Sequence, residues 1–265
     1  MKINTLKLIY FSPTRTTRKA LEGVAVGIDA VSVSHLDLTL SGAEKSAETV
    51  HTDLAILGVP VYAGRVPQIA VSRISKLKAE NIPAVIVVVY GNRAYEDALV
   101  ELKDLAEEAG FKPMAAAAFI GEHSFSSEKT PIAQHRPDEK DIMEADAFGR
   151  QIRKKLDEVQ DFTGALPLSV PGNHPYKERH QMPPGSPTTQ EELCTLCGSC
   201  ADACPVNAIS VGDIVETDAA RCIYCCACVK ICPTDARVMT IPKMNEIAKW
   251  LSETCAERKS PEFFI

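Results

Sequence analysis

Apolar and polar positions along the first 160 residues form alternating blocks that predict strands and helices in turn. Five blocks have the length and pattern of strands, and the block 84–90 is almost continuously β-branched, as in a strand buried on both faces. The predicted strands are 6–11, 31–38, 53–59, 84–90 and 112–120. Amphipathic segments predict helices at 16–26, 68–79, 96–109 and 138–159.

This alternation predicts an α/β fold, in which a doubly wound five-stranded parallel sheet carries helices on both faces. The predicted first domain is 1–160. Residues 161–190 are rich in proline and predict a stiffened, extended connector. A small α+β, cysteine-rich domain is predicted at 191–242, followed by a C-terminal helix and tail at 243–265.

The overall composition limits the classes of partner and compartment. The 265 residues carry a net charge of −6, which argues against a nucleic-acid partner. The longest apolar run, 82–90, contains Pro83 and is too short to span a bilayer. No apolar run near the start has the length of a signal-peptide core. We therefore expect no membrane partner, a cytoplasmic location and reduced thiols.

All ten cysteines lie at or after position 194, and eight of them form an internal repeat with a period of 28 residues. Each copy reads C-x2-C-x2-C-x3-C-P. The first copy contains Cys194, Cys197, Cys200 and Cys204; the second contains Cys222, Cys225, Cys228 and Cys232. Thiolates at this spacing are typical of iron–sulfur ligands. The alternative is two zinc sites, but those usually combine two C-x2-C pairs.

Two further cysteines stand outside the repeat. Cys226 lies between two predicted ligands, and we interpret it as a small buried residue, with replacement of Cys225 as a ligand left as the alternative. Cys255 is interpreted as a free thiol.

The cysteine region resembles the bacterial two-cluster [4Fe–4S] ferredoxins over some fifty residues and keeps all eight ligand positions. The resemblance implies two [4Fe–4S] clusters and one-electron transfer at low potential. It also implies that the fourth cysteine of each copy binds the opposite cluster. One cluster then takes Cys194, Cys197, Cys200 and Cys232, and the other takes Cys222, Cys225, Cys228 and Cys204.

Three loops follow predicted strands at the edge where open parallel sheets bind ligands. The first contains Ser12, Thr14, Arg15, Thr16 and Thr17 before a helix, which suits a phosphate, although simple helix capping explains the hydroxyls too. The other two supply Pro60, Val61, Tyr62, Ala63 and Gly64, and Gly91, Asn92, Arg93 and Tyr95. Tyr62 and Tyr95 are candidates to stack on a flat ring, or else are surface aromatics. Together the loops favour FMN.

The segment 1–160 resembles the flavodoxins, and IYFSPTRTTRK is similar to their phosphate loop. GVPVYAGRVP and VYGNRAYEDAL resemble the flavin-ring loops of anaerobe proteins that join such a domain to a two-cluster ferredoxin. This resemblance implies FMN held by the three loops. Arg15 departs from it, because such loops commonly carry glycine there, which relieves strain at positive φ.

These expectations favour an electron-transfer iron–sulfur flavoprotein that passes electrons between FMN and the clusters. It would link a low-potential donor to an oxidoreductase partner, with a homodimer as a further possibility. The alternative is an FMN-dependent reductase of a small substrate, and a non-redox zinc module ranks third. No catalytic residue is assigned. His123, in the polar segment 121–136, is either a proton donor to the flavin or a hydrogen-bonded loop residue.

Overall fold

The architecture was obtained as a computed structural model that describes residues 3–40, 48–158, 168–179 and 182–265. Within these residues the strands are β1 (Thr5–Tyr10), β2 (Ser32–Asp37), β3 (Glu48–Thr49), β4 (Leu54–Pro60), β5 (Leu77–Lys78), β6 (Ile82–Tyr90), β7 (Phe111–Ile120), β8 (Thr188–Thr189), β9 (Ile209–Val211), β10 (Val215–Thr217), β11 (Arg237–Val238) and β12 (Glu262–Phe264). The helices are α1 (Thr16–Ile28), α2 (Gln68–Ile74), α3 (Ala98–Glu108), α4 (Glu139–Glu158), α5 (Ser199–Asp202), α6 (Ala227–Lys230) and α7 (Pro242–Thr254).

The main sheet has the order β12-β7-β6-β4-β1-β2, and its five strands from β7 to β2 are parallel. Counted among these five alone, the order is 2-1-3-4-5, which is the flavodoxin-like doubly wound order. Helices α1 and α4 pack on one face, and α2 and α3 contribute to the core on the other. The predicted fold class is confirmed, and β6 is buried along nearly its whole length.

A sixth strand joins this sheet from the end of the chain. β12 pairs antiparallel with β7, in a segment for which the sequence predicted only a tail. Phe263 stacks on Phe148 with ring centroids 4.6 Å apart, and it meets Phe119 edge-on. The strand therefore covers an otherwise open sheet edge. Three residues are too few to show a strand pattern in the sequence.

Several helices and strands begin or end at residues other than those predicted. Helix α2 ends at Ile74 rather than at residue 79, because the chain turns there and β5 pairs with β3. The strand predicted at 31–38 is β2, an exposed edge strand. Residue 159, the predicted end of the last helix, lies outside the described residues. No helix of the described ranges has the length and apolar character needed to cross a bilayer.

The connector predicted at 161–190 is described only in part, since 161–167 and 180–181, with His180, lie outside the described residues. Its segment 168–179 lies against the first domain. The Asp97 carboxylate accepts hydrogen bonds from the backbone N–H groups of Asn173 (2.9 Å) and Lys177 (2.7 Å). Arg179 donates to the Val66 carbonyl at 2.6 Å. This part of the connector is held by specific hydrogen bonds as well as by proline.

Candidate functional site

A cavity of about 720 Å³ lies at the carboxyl edge of the main sheet. Its walls come from the first domain, the connector, the cysteine-rich domain and α7. Of the predicted flavin residues, the following line it: Thr14, Thr16, Pro60, Val61, Tyr62, Ala63, Gly64, Gly91 and Arg93. Ser12, Arg15, Thr17, Asn92 and Tyr95 are not among its lining residues.

The first loop leads into the N-terminus of α1. Arg15 precedes the helix in the left-handed conformation, with φ 65°. The Ser12 hydroxyl is already engaged, because it accepts the Arg18 backbone N–H at 3.1 Å. Thr17 is fully buried, and among the described residues its hydroxyl oxygen has no hydrogen-bond partner. A helix N-terminus with an unsatisfied buried hydroxyl fits an anionic group such as a phosphate monoester.

The two other loops approach the cavity with glycine at close contacts. A Cβ on Gly64, whose φ is +82°, would lie 2.1 Å from the Glu96 carboxylate. A Cβ on Gly91 would lie 2.2 Å from the His123 ring. At Gly64 and Gly91 the backbone therefore lies so close to the neighbouring side chain that no residue with a Cβ fits without a shift.

Asn92 and Tyr95 hold the end of the chain. The Asn92 side chain donates to the carbonyls of Cys255 (2.6 Å) and Glu257 (2.7 Å). The Tyr95 hydroxyl donates to the Glu262 carboxylate at 2.9 Å. Of the two tyrosines predicted as ring-stacking candidates, Tyr62 lines the cavity, whereas Tyr95 anchors the segment that leads into β12.

His123 lines the cavity and is half-buried. Its Nδ1 accepts the backbone N–H of Phe125 at 3.1 Å, so the neutral ring carries its proton on Nε2. Burial, followed by the charges of Lys230 and Arg93, lowers the pKa of His123 to about 4. The histidine is therefore neutral at physiological pH. The sequence left two alternatives for His123, a hydrogen-bonded loop residue or a residue that faces the flavin. In the structure His123 makes the loop hydrogen bond and also lines the cavity.

The sequence analysis did not identify some of the residues that line the cavity. Helix α7 contributes Met244, Ile247, Trp250 and Leu251, and the connector contributes Met182. The sequence predicted a C-terminal helix in this segment but not that the helix lines the cavity. The Cys222–Tyr224 stretch of the cysteine-rich domain completes the wall.

The eight motif cysteines stand around two smaller cavities. The first cavity is lined by Cys194, Cys197, Cys200 and Cys232, and the second by Cys204, Cys222, Cys225, Cys226 and Cys228. All ten cysteines are free thiols. The fourth cysteine of each copy thus stands with the first three of the other copy. This is the grouping that the ferredoxin resemblance implies.

The sequence repeat is also a repeat of backbone geometry. Residues 28 apart share the left-handed conformation, in the pairs Leu196 and Tyr224, Gly198 and Cys226, and Asn207 and Asp235. Left-handed turns of this kind point successive N–H groups inward and favour bound anions. Cys226 therefore occupies the position that glycine holds in the first copy. Its side chain is buried beside the second cavity.

The donor set fits two iron–sulfur clusters. The four thiols of each predicted ligand set surround a space, as a cubane with thiolates at its corners requires. The Ala208 N–H donates to the Cys204 sulfur at 3.2 Å, a contact of the type that tunes cluster ligands. In the described part of the chain, no three His, Cys, Asp or Glu side chains are grouped closely enough for a single metal ion.

The second cysteine cavity adjoins the large cavity. Cys222 and Ile223 line both. Tyr62 lines the large cavity together with these two residues. Burial, followed by the nearby Cys225, Cys226 and Cys222, raises the pKa of its phenol well above the usual value. The first cysteine cavity, by contrast, has no lining residue in common with the large one.

Polar contacts of two side chains, Arg73 and Lys230, help to hold the cysteine-rich domain against the first domain. The buried Arg73 of α2 donates to the Pro205 carbonyl at 2.7 Å, and also to the carbonyls of Leu38 and Thr39. Lys230 of α6 pairs with Glu122 at 2.6 Å. The position of the second cysteine cavity beside the large cavity is therefore fixed by buried and half-buried contacts.

The 4Fe–4S binding domain family (Fer4) matches residues 187–210 and 215–238. A ferredoxin from Butyribacterium methylotrophicum is 66% identical over 29 residues, and the chain spans only 53% of its length. Ferredoxin-1 from Chlorobaculum tepidum is 46% identical over 54 residues, which are 18% of this chain and 87% of that protein. A solved flavodoxin from the domain Archaea is similar to 58% of this chain over 99% of its own, with 15% identity and a TM-score of 0.38.

Both cysteine motifs lie within the matched segments, and Ferredoxin-1 is covered over most of its length. The doubly wound domain before them is defined by its own strand order. Through residues 187–238 the chain therefore belongs to the family of 4Fe–4S ferredoxin domains, here joined to a flavodoxin-like α/β domain.

Proposed function

We propose that this protein is an electron-transfer iron–sulfur flavoprotein that passes electrons between FMN and two [4Fe–4S] clusters. The observation that carries the proposal is the wall that Cys222 and Ile223 share between the large cavity and the second cysteine cavity. A flavin exchanges electrons in pairs or singly, and each cluster exchanges one. A chain that holds both kinds of group side by side suits conversion between two-electron and one-electron steps.

In this proposal, different residues of the large cavity bind different parts of FMN. Thr14 and Thr16, which line the cavity at the start of α1, hold the phosphate. The 60–64 and 91–93 loops hold the ring system. Helix α7 and the connector cover the cavity and exclude water from it. The neutral His123 keeps a proton on Nε2 beside the cavity, where it serves as a hydrogen-bond donor.

The eight motif cysteines are the proposed ligands, in the two groups that line the two small cavities. The second-motif group, with Cys204, lies next to the flavin cavity. The first-motif group lies on the other side and reaches the surface at Cys197, which is exposed. The chain therefore presents one cluster site to its own flavin site and the other to solvent.

The exposed cluster site indicates the chemistry of the partner. Residues 187–220 contain six acids and no lysine or arginine. The acids are Glu191, Glu192, Asp202, Asp213, Glu216 and Asp218, and all six are exposed. We propose a redox protein with a basic docking face as the partner. Oxygen-sensitive clusters and reduced thiols suit the cytoplasm.

The proposal is tested by purifying the full chain without oxygen and measuring iron, acid-labile sulfide and FMN. The expected contents are about eight iron, eight sulfide and one FMN per chain. Cys225→Ala is expected to lose about one cluster's iron, whereas Cys226→Ala keeps all of it. A protein that holds zinc in place of iron contradicts the proposal. A protein that keeps eight iron but takes up no FMN limits the function to that of a ferredoxin.

A second candidate function is reduction of a small substrate by FMN. It is favoured by the size of the cavity, about 720 Å³, and by the His123 Nε2 proton beside it. Catalytic turnover of a small quinone by the chemically reduced protein, lost in His123→Gln with FMN still bound, supports this candidate. Reduced protein that donates electrons only to protein acceptors counts against it.

A further inference from the structure

Arg237 of β11 is a buried cation between the two cysteine cavities. Only 3% of the residue is exposed. Its guanidinium donates to the hydroxyls of Thr189 at 2.7 Å and Thr217 at 3.0 Å. One Nη lies 3.8 Å from the sulfur of Cys228, and the Arg237 side chain also lines the first cavity. The arginine therefore contacts a predicted ligand of one cluster while forming part of the wall around the other.

The hydrogen bonding of this guanidinium is incomplete. Its Nε atom is buried and has no hydrogen-bond partner in the described part of the chain. The partners recorded for the other nitrogens are two hydroxyls and one thiol, all uncharged groups. Leaving a buried donor unsatisfied is costly, so such a donor calls for a partner that the bare chain lacks. A sulfide or thiolate of a cluster is a suitable acceptor.

The charge of Arg237 reaches both groups of thiols. In the second group, the guanidinium lies 3.8 Å from the Cys228 sulfur. In the first group, Arg237 lines the cavity together with Cys200 and the three other thiols. The residue 28 positions earlier is Ile209, so the internal repeat supplies this cation once, and the two cluster sites share it.

We propose that Arg237 is a shared positioning and charge-tuning residue that raises the reduction potentials of both clusters. Each cluster gains one electron on reduction, no bond is made or broken, and the added negative charge is stabilised by the fixed cation and its N–H donors. The seven acids between 191 and 241 act in the opposite direction. The inference rests on the proposed function, because it requires both clusters to be bound.

The test is an anaerobic redox titration of the full, cluster-loaded chain, followed by electron paramagnetic resonance. Arg237→Met removes the charge at similar length. We expect the equilibrium constants for reduction of both clusters to fall about tenfold or more, which is a shift of about 59 mV for one electron. Arg237→Lys keeps the charge and is expected to recover part of that shift.

Thr217→Val is the matched structural control. It removes one hydroxyl that anchors Arg237 but leaves the charge in place, so we expect potentials close to those of the unmodified chain. Equal shifts in Thr217→Val and Arg237→Met would show that the effect is only structural and would overturn the proposal. Unchanged potentials in an Arg237→Met protein that retains eight iron would overturn it too.

Iron and sulfide contents separate this inference from the proposed function. If the unmodified chain binds no clusters, the proposed function fails first. If Arg237→Met alone loses iron, the comparison of Arg237→Lys with Arg237→Gln gives the same charge contrast. Loss of clusters from every variant at this position makes Arg237 a structural residue and overturns the tuning role.

Discussion

His123 illustrates how burial sets the chemistry of a single residue beside the large cavity. It packs against Gly91, contacts the Phe125 ring edge-on and accepts a backbone hydrogen bond. The sequence identified His123 as a candidate because it lies in the long polar segment 121–136 and because the ordinary pKa of histidine is near neutrality. The sequence did not show that the half-buried ring is kept neutral by its surroundings, because those surroundings include segments far away along the chain, such as the one that carries Lys230.

We expect His123 to make the protein less stable as the pH falls below about 6.5. Its folded pKa of about 4 lies below the ordinary 6.5, so the unfolded chain binds the extra proton in the interval between them. Stability is therefore full above 6.5 and decreases as the pH falls toward 4. The expected loss from pH 6.5 to 5.5 is about 1 kcal/mol.

Thermal unfolding of the loaded chain under anaerobic conditions measures this effect, with His123→Gln expected to show a flatter pH profile. The control is His51→Gln, because His51 is exposed. Identical profiles for His123→Gln and the unmodified chain would refute the assignment.

At the scale of elements, Arg15 at the N-terminus of α1 adopts a left-handed backbone conformation that is unfavourable for a residue with a Cβ. The sequence predicted the helix and the phosphate loop, and Arg15 stood out where glycine is usual in such loops. The structure gives Arg15 a φ of 65°, with an exposed side chain that does not line the cavity. A left-handed conformation costs a residue with a Cβ roughly 1–2 kcal/mol.

We therefore expect Arg15→Gly to be more stable than Arg15→Ala by about 1 kcal/mol, because both lose the charge but only glycine relieves the backbone. FMN affinity is expected to be similar in Arg15→Ala and the unmodified chain. Anaerobic thermal unfolding and fluorescence titration with FMN measure the two quantities. A much weaker FMN affinity in Arg15→Ala would mean that the Arg15 charge pairs with the phosphate.

At the scale of the whole molecule, the two cluster sites are unequal although the sequence repeat is nearly symmetric. Contacts such as Arg73 with the Pro205 carbonyl hold the second-motif side against the flavin cavity. The first-motif side is left exposed, with acids around it and Leu196 open to solvent. The asymmetry arises because only one side of the small domain is covered by the large one.

Electron transfer from the reduced protein to a basic cytochrome c is expected to slow several-fold when Glu191 and Glu192 are both changed to lysine. The expected rate of the unmodified chain also falls as salt rises, since exposed charges are screened beyond about 10 Å at 0.1 M. Stopped-flow spectroscopy without oxygen measures both effects.

The matched control changes Glu80 and Glu108 to lysine, which alters the net charge equally on exposed positions of the first domain. With ferricyanide, an anion, the Glu191/Glu192 variant is expected to react faster instead. Equal rates for the two double variants with both acceptors would exclude the acidic face as the docking site.

The sequence by itself determined the parallel sheet, the two cysteine motifs and the three loops at the sheet edge. These depend on local features: apolar runs, spacing of thiols and turn residues close together in the chain. Tyr62 and His123 were identified in this way, and both line the cavity. Asn92 and Tyr95, predicted in the same way, do not line the cavity. The Asn92 amide nitrogen and the Tyr95 hydroxyl donate instead to distant residues of the C-terminal segment.

The tertiary structure alone decided which cysteine group adjoins the large cavity, that α7 covers that cavity, and that β12 completes the sheet. It also placed Arg237 between the two groups of thiols. Each of these features joins segments far apart in the chain through packing and hydrogen bonds. Such contacts produce no periodic pattern of apolar and polar positions in either segment. The reason is that a side chain is buried or hydrogen-bonded there only once the distant segment has packed against it.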